Sequence, residues 1–273
     1  MVPRYSIVIP TLNEEKFLPK LLSSLAAQTA RNFEVVVVDG SSRDKTVAGA
    51  RSYAKKLPKL QVIVSPKASL PLQRNLGARA TGGDWIIFID ADSVLLPYFL
   101  ERCTAYIQSE SPKLFTTWFR PDSENPKDAV YTLFANVYLE ATIIFKKWHA
   151  PGPLSLVKRS AYNKVGGYDE AHAFHEDIDF GIRLAKKGIY LNILRESLNV
   201  WSLRRFRKEG TIKVLNQYVV GMLPVLFLNT SFKHMPGYVM GGQEYWKKNN
   251  HKAKLTIRKF EHSLKKLLRE VFE

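Results

Sequence analysis

Two carboxylates, Asp90 and Asp92, stand where an unbroken apolar run, Trp85-Ile86-Ile87-Phe88-Ile89, stops. Five consecutive β-branched or aromatic residues read as a strand buried on both faces. Side chains two apart on an extended chain point the same way, so both acids can address one ligand. Two anions that close repel each other unless positive charge lies between them, and a hard divalent cation is the usual solution. The same Asp-Ala-Asp-Ser string also reads as a plain turn, since Asp and Ser are common at strand ends.

The elements around this strand alternate in kind. Ser6 to Pro10 is a short apolar strand, followed by a loop, Thr11-Leu12-Asn13-Glu14-Glu15, that leads into a helix carrying Phe17, Leu18, Leu21, Leu22 and Leu25 at helical spacing. Thr11 or Asn13 is placed to cap that helix, and the two glutamates suit its positive end. Phe33 to Val38 and Leu60 to Val64 read as further strands, with helices expected over Asp44 to Lys56 and Gln73 to Ala80. Alternation of this kind predicts an α/β fold with a mainly parallel sheet and helices on both faces. Ligands of such sheets lie at the carboxyl ends of the strands. Glu14, Asp39 and the Asp90/Asp92 pair all fall there. No glycine loop of the dinucleotide-binding or Walker type follows the first strand, so a bound diphosphate would need a metal and basic side chains.

These residues form an ordered set of motifs. Ile9-Pro10-Thr11-Leu12-Asn13-Glu14-Glu15, Val37-Val38-Asp39-Gly40-Ser41-Ser42, Arg74-Asn75-Leu76-Gly77-Ala78 and Asp90-Ala91-Asp92 come first. Val165-Gly166-Gly167-Tyr168-Asp169-Glu170 and Glu176-Asp177-Ile178-Asp179-Phe180 come later. Together they resemble the successive motifs of family 2 glycosyltransferases, which have the GT-A fold. The resemblance covers roughly residues 5 to 205, with a donor half to about 110, an acceptor half from about 111, and a basic helical extension over 206–273.

The family implies inverting transfer of a sugar from a nucleotide-diphosphate donor, assisted by Mg²⁺ or Mn²⁺. By that resemblance Asp39 hydrogen-bonds the base, Thr11, Asn13 and Glu14 line the nucleoside pocket, and Asp90 sits near the ribose. Asp92 holds the metal and Asp177 is the general base, with Glu176 beside it on the acceptor side. The chemistry agrees: displacement with inversion needs a base for the acceptor hydroxyl and a cation for the leaving diphosphate. Glu176, Asp177 and Asp179 also read as acids at a helix start, with Arg183, Lys186 and Lys187 at its end, as the helix dipole favours.

One departure stands out. Many relatives place a His after the acceptor helix as a metal ligand, whereas this chain reads Val200-Trp201-Ser202-Leu203-Arg204-Arg205. The metal is then held by Asp92, phosphates and water, with His175 as an alternative ligand. Arg204 and Arg205 offer positive charge to the diphosphate, and Lys67 and Arg74 are weaker candidates for the donor pocket. Tyr131 to Trp148 is an aromatic-rich helix (Tyr131, Phe134, Tyr138, Phe145, Trp148) that either walls an acceptor pocket or packs the core.

Composition sets the remaining bounds. The chain has 273 residues, 45% hydrophobic, and can bury a large core. The single Cys103 fits a reducing compartment, and Pro3-Arg4-Tyr5 runs straight into a strand where a signal peptide would have its apolar stretch, so a cytoplasmic place is expected. Net charge is +16, and the stretch from Arg204 onward carries 15 Lys/Arg against 5 Asp/Glu. Tyr218 to Phe232 is apolar with Pro224 inside it. Ile257, Phe260, Leu264, Leu267, Leu268 and Val271 then mark one face of a basic amphipathic helix, which either docks on the domain or contacts an anionic membrane on its cytoplasmic face. The expected partners are a nucleotide-sugar donor and a sugar or lipid-linked acceptor; nucleic acid is not expected. Two rivals remain open: a nucleotidyltransferase, disfavoured by the absence of a Gly-rich basic loop, and a non-catalytic membrane or nucleic-acid binder acting through the basic tail.

Overall fold

A computed structural model describes residues 4–146, 149–172 and 174–210, together with Val214. Eight strands form one sheet in the order β3-β2-β1-β4-β7-β6-β8-β5. In chain order they are β1 (Tyr5–Thr11), β2 (Phe33–Asp39), β3 (Leu60–Val64), β4 (Trp85–Ile89), β5 (Val94–Leu95), β6 (Leu114–Pro121), β7 (Leu154–Lys158) and β8 (Leu191–Trp201). The helices are α1 (Leu18–Ala26), α2 (Thr46–Arg51), α3 (Leu70–Arg79), α4 (Phe99–Glu110), α5 (Pro126–Ile144), α6 (Arg159–Lys164), α7 (Glu176–Ala185) and α8 (Arg204–Glu209).

The half built from β3, β2, β1 and β4 is parallel throughout, as the strand–helix alternation predicts. The other half is mixed: β7 runs antiparallel to both β4 and β6, and β5 to β8, while β6 and β8 are parallel. Period-2 alternation sends neighbouring residues of one strand to opposite faces. Ile7, Ile9, Val35, Val37 and Ile87 pack with Leu21, Leu22 and Leu25 of α1 and Phe99 and Cys103 of α4. Val8, Val36, Val38, Ile86 and Phe88 pack with Ala78 of α3 and Phe180 and Leu184 of α7. Two cores, one per face, therefore hold the sheet between helical layers. Gly77 permits the closest of these approaches, since a Cβ there would stand 2.4 Å from a methyl of Val8.

Several local expectations are corrected. Neither Thr11 nor Asn13 caps α1: its N-cap is Phe17, with no side-chain cap, after a turn in which the Glu14 carbonyl accepts from the amides of Phe17 and Leu18. Thr11 ends β1 instead, and the Asn13 side chain accepts from the Arg43 amide at 2.9 Å, strapping the loop after β1 to the loop after β2. The helix expected over Asp44 to Lys56 is regular only over α2, because Asp44 turns its carboxylate back onto the Thr46 amide and three-residue turns take over beyond Arg51. Of the aromatic helix, Phe134 and Phe145 face outward, so they do not pack the core; Trp148 lies outside the described residues. The helix α8 runs across the boundary expected at residue 205. It packs through Phe206 on Tyr131 and Trp201. Most of the extension, including Tyr218 to Phe232 and the basic stripe from Ile257, lies outside the described residues.

Candidate functional site

The carboxyl ends of β1, β2 and β4 lie side by side, and the acids come with them. Register pairs Thr11 with Asp39, and Thr11 Oγ1 donates to the Asp39 carboxylate at 3.0 Å. The Ser42 amide and hydroxyl add bonds at 2.8 and 2.5 Å, so Asp39 is fixed at the end of β2. Glu14, next along the β1 loop, is buried and gripped by Arg204, whose Nη1 and Nη2 donate to its two oxygens at 2.7 and 2.6 Å. The Nε of the same guanidinium lies 2.7 Å from Asp92 Oδ2. Burial raises the affinity of both Glu14 and Asp92 for a proton, against the pull of Arg204.

A second arginine ties this edge to the later part of the chain. Arg74, on α3, is 1% exposed. Its Nη1 donates to Glu176 at 2.8 Å, its Nη2 donates to the Gly152 carbonyl at 3.0 Å and lies 3.6 Å from Asp90, and its guanidinium covers the Tyr168 ring. Because β4 and β7 run antiparallel, the Asp90 amide meets the Pro153 carbonyl, which puts the 149–153 segment against Asp90. That segment also holds Asp177: the Gly152 amide donates to Asp177 Oδ2 at 3.1 Å and the Ala150 amide to its backbone carbonyl at 3.1 Å. Asp177 Oδ1 accepts from the Ile178 amide at 2.9 Å. With about four lone-pair positions on a carboxylate, Asp177 keeps capacity for a hydroxyl.

Asp90 and Glu176 are each pushed up to about 7. Burial is the main cause for both; Asp92 adds to it at Asp90 and Asp177 at Glu176, while Arg74 opposes it. The side chain of Asp90 is still 38% exposed, so water tempers its shift. Glu14, Asp90, Asp92, Glu176 and Asp177 set five carboxylates against the two guanidinium groups of Arg74 and Arg204. Carboxylate oxygens are the ligands that a hard divalent cation takes.

The remaining sequence candidates fall farther out. Lys67 is exposed on the loop after β3, which lies against the Gly40 backbone through Ala68. Arg205 turns to Glu209, one helical turn on, at 3.0 Å. His175 is the N-cap of α7 and stacks on Phe174. A cluster that sequence reading missed, Asp169, His172 and Asp179, brings ligand atoms within 4.8 Å of one another. The Arg183 guanidinium, 2.7 Å from Asp179, already places a positive charge there. Also missed were the hold of the 149–152 segment on Asp177 and the linking role of Arg74.

A family model described as Glycosyl transferase family 2 matches residues 6–166, more than half of the chain. The chain belongs to this family. It is 28% identical over 190 residues to an uncharacterized glycosyltransferase of Haemophilus influenzae, across 67% of this chain and 62% of that protein. A PGL/p-HBAD biosynthesis glycosyltransferase of Mycobacterium bovis is 29% identical over 195 residues, 66% of this chain and 69% of its own length. The chain thus spans about three-fifths of the Haemophilus relative. Among solved structures, the fold matches the mannosyltransferase PcManGT of Pyrobaculum calidifontis, in complex with GDP-Man and Mn²⁺, with a TM-score of 0.61 at 20% identity over 84% of this chain and 69% of that one. It also matches Staphylococcus aureus TarS in complex with UDP-GlcNAc, with a TM-score of 0.58 at 21% identity over 73% of this chain and 58% of that one. At these identities the structures speak to the fold, which is the GT-A kind expected of family 2.

Proposed function

We propose that the protein transfers a sugar, with inversion, from a nucleoside-diphosphate donor to an acceptor hydroxyl. The observation that carries this reading is Arg74, which joins Asp90 at the end of β4 to Glu176 and to the Gly152 backbone beside Asp177. Carboxylates from the two halves of the chain therefore meet at one guanidinium, with Asp90 exposed to the charges of both Asp92 and Asp177.

In this reading Asp177 is the base. Two backbone amides orient its carboxylate, and a remaining lone pair takes the acceptor proton as the hydroxyl oxygen attacks the anomeric carbon. The bond to the diphosphate oxygen breaks on the opposite side, and the electron pair leaves with the nucleoside diphosphate. Asp39, with Thr11, Asn13 and Glu14, forms the wall for the base and ribose; Asp90 addresses the ribose, and Lys67 lies at the outer rim. Arg204 supplies fixed positive charge near the diphosphate. A divalent cation, Mg²⁺ or Mn²⁺, would be held by Asp92 and would neutralise developing charge on the leaving group.

Family membership and the nucleotide sugars bound by PcManGT and TarS support a nucleotide-sugar donor. A sugar or a lipid-linked acceptor suits the acceptor side, and peripheral contact with an anionic cytoplasmic membrane face accompanies the second choice. No helix among the described residues is long and apolar enough to cross a membrane.

The test is a thermal-shift panel of UDP- and GDP-sugars, each with and without Mn²⁺. A melt rise for one donor that needs the metal is the expected result. If every donor leaves the melt unchanged under both conditions, the reading fails.

A further inference from the structure

The helix α5 carries an apolar face that nothing among the described residues covers. Val130, Leu133, Phe134, Val137, Ile144 and Phe145 are 47–73% exposed. Among the described residues, three other large hydrophobic residues are comparably exposed, Val64, Tyr98 and Tyr190, and they are scattered. Spacings of three, four and seven place the six on one stripe of the helix, about 22 Å long at 1.5 Å per residue.

The opposite face of α5 is fully occupied. Asp128, Thr132, Leu139 and Thr142 are buried, Asn136 exchanges two 2.9 Å bonds with the Phe119 backbone, and Glu140 accepts from Trp118 and Arg195. The helix is therefore locked in rotation, and the stripe is held outward. Contiguous apolar surface of this kind marks a contact site.

We infer that this stripe is the surface by which the protein lies on an anionic lipid bilayer. Exposed lysines stand at both ends of the stripe, Lys146 at one and Lys127 at the other; at the Lys127 end exposed Asp122 is paired with Arg207 and Glu124 is also exposed, on a chain of net charge +16. Apolar side chains between basic ones are the pattern of a helix lying in the headgroup plane. A second copy of the chain fits less well, because antiparallel pairing of two α5 stripes would set Lys127 of one against Lys146 of the other. The same helix reaches the catalytic cleft from its inner side, where Tyr138 packs on His149 next to the Ala150 amide that holds Asp177. The bilayer thus lies on the outer side of a wall whose inner side belongs to the acceptor region; that last link rests on the proposed reaction, whereas the lipid contact does not.

Co-sedimentation of the full chain with phosphatidylcholine vesicles, with and without phosphatidylglycerol, tests the inference. Wild type should pellet with the anionic vesicles, and Leu133→Glu and Phe134→Glu should each weaken partitioning by about tenfold or more. Both variants should keep the wild-type melt and donor-induced melt shift, which reads the cleft separately. Variants that pellet like wild type would move the contact elsewhere and overturn the assignment. So would a wild type that ignores vesicles, whether it sediments as a monomer or as a dimer that Leu133→Glu splits, the latter making the stripe an interface between copies.

Discussion

Arg204 lies 2.7 Å from Asp92 through its Nε while its two terminal nitrogens hold both oxygens of Glu14. One planar guanidinium thereby links the loops after β1 and β4. A lysine has one charged nitrogen and cannot reproduce that fork. Arg204→Lys should weaken donor binding roughly 10- to 100-fold, the size of about 1.5–3 kcal/mol for lost charge-assisted hydrogen bonds. Calorimetric titration with the donor, at fixed and at zero Mn²⁺, checks this. Unchanged affinity would place Arg204 outside the donor site.

Asp177→Asn should separate chemistry from binding. The amide keeps an oxygen for a backbone N–H but is a far weaker base. Turnover should fall by about 10²–10⁴-fold, with the donor dissociation constant unchanged. An equal loss in both quantities would show that Asp177 holds substrate and not a proton.

The pH dependence of stability follows from Asp90. An aspartate in the unfolded chain loses its proton near 4, whereas in the folded protein desolvation and Asp92 push Asp90 up toward about 7 against Arg74, a shift that water reaching its 38% exposed side chain tempers. Between those values the folded state binds the extra proton, so stability is highest at the acid end and declines as pH rises through the window. Asp90→Asn carries no proton and should flatten that decline in melts collected between about pH 4 and 7. Glu176, raised to about 7 by burial and by Asp177, should leave a residual slope. A variant as steep as wild type would assign the effect to other groups.

What was legible in the sequence was local. The run from Trp85 to Ile89 and the strand ending at Asp39 declare themselves by unbroken apolar residues, and the acids beyond them follow from position. The strand β6 does not, because Thr116 and Thr117 sit buried in its middle and its register with β8 shifts on either side of Trp118. Periodicity identified α5 but not which aromatic faces inward: that choice is made by Asn136 and Glu140, whose partners lie on β6 and β8. Arg74 was undervalued for a similar reason. Its acceptors, Glu176 and Gly152, are distant in sequence, and no local pattern announces them.

Gly181 offers a test of whether the 149–152 segment sets the base. It lies on α7, where a Cβ would stand 2.3 Å from His149 Cα and 2.4 Å from its carbonyl carbon. Those atoms are backbone, so Gly181→Ala cannot be absorbed by a rotamer change. The helix and the segment must separate, and the bonds from the Ala150 and Gly152 amides to Asp177 must lengthen. Overpacking of this sort costs about 1–3 kcal/mol, and a base displaced from its hydroxyl should lower turnover more than donor affinity. Gly49→Ala is the contrast: it lies on α2, where an added Cβ meets nothing within 4 Å, and it should leave turnover alone and raise stability by about 0.4–1 kcal/mol. Equal behaviour of the two variants in turnover and denaturation would mean that contact between α7 and His149 does not position Asp177.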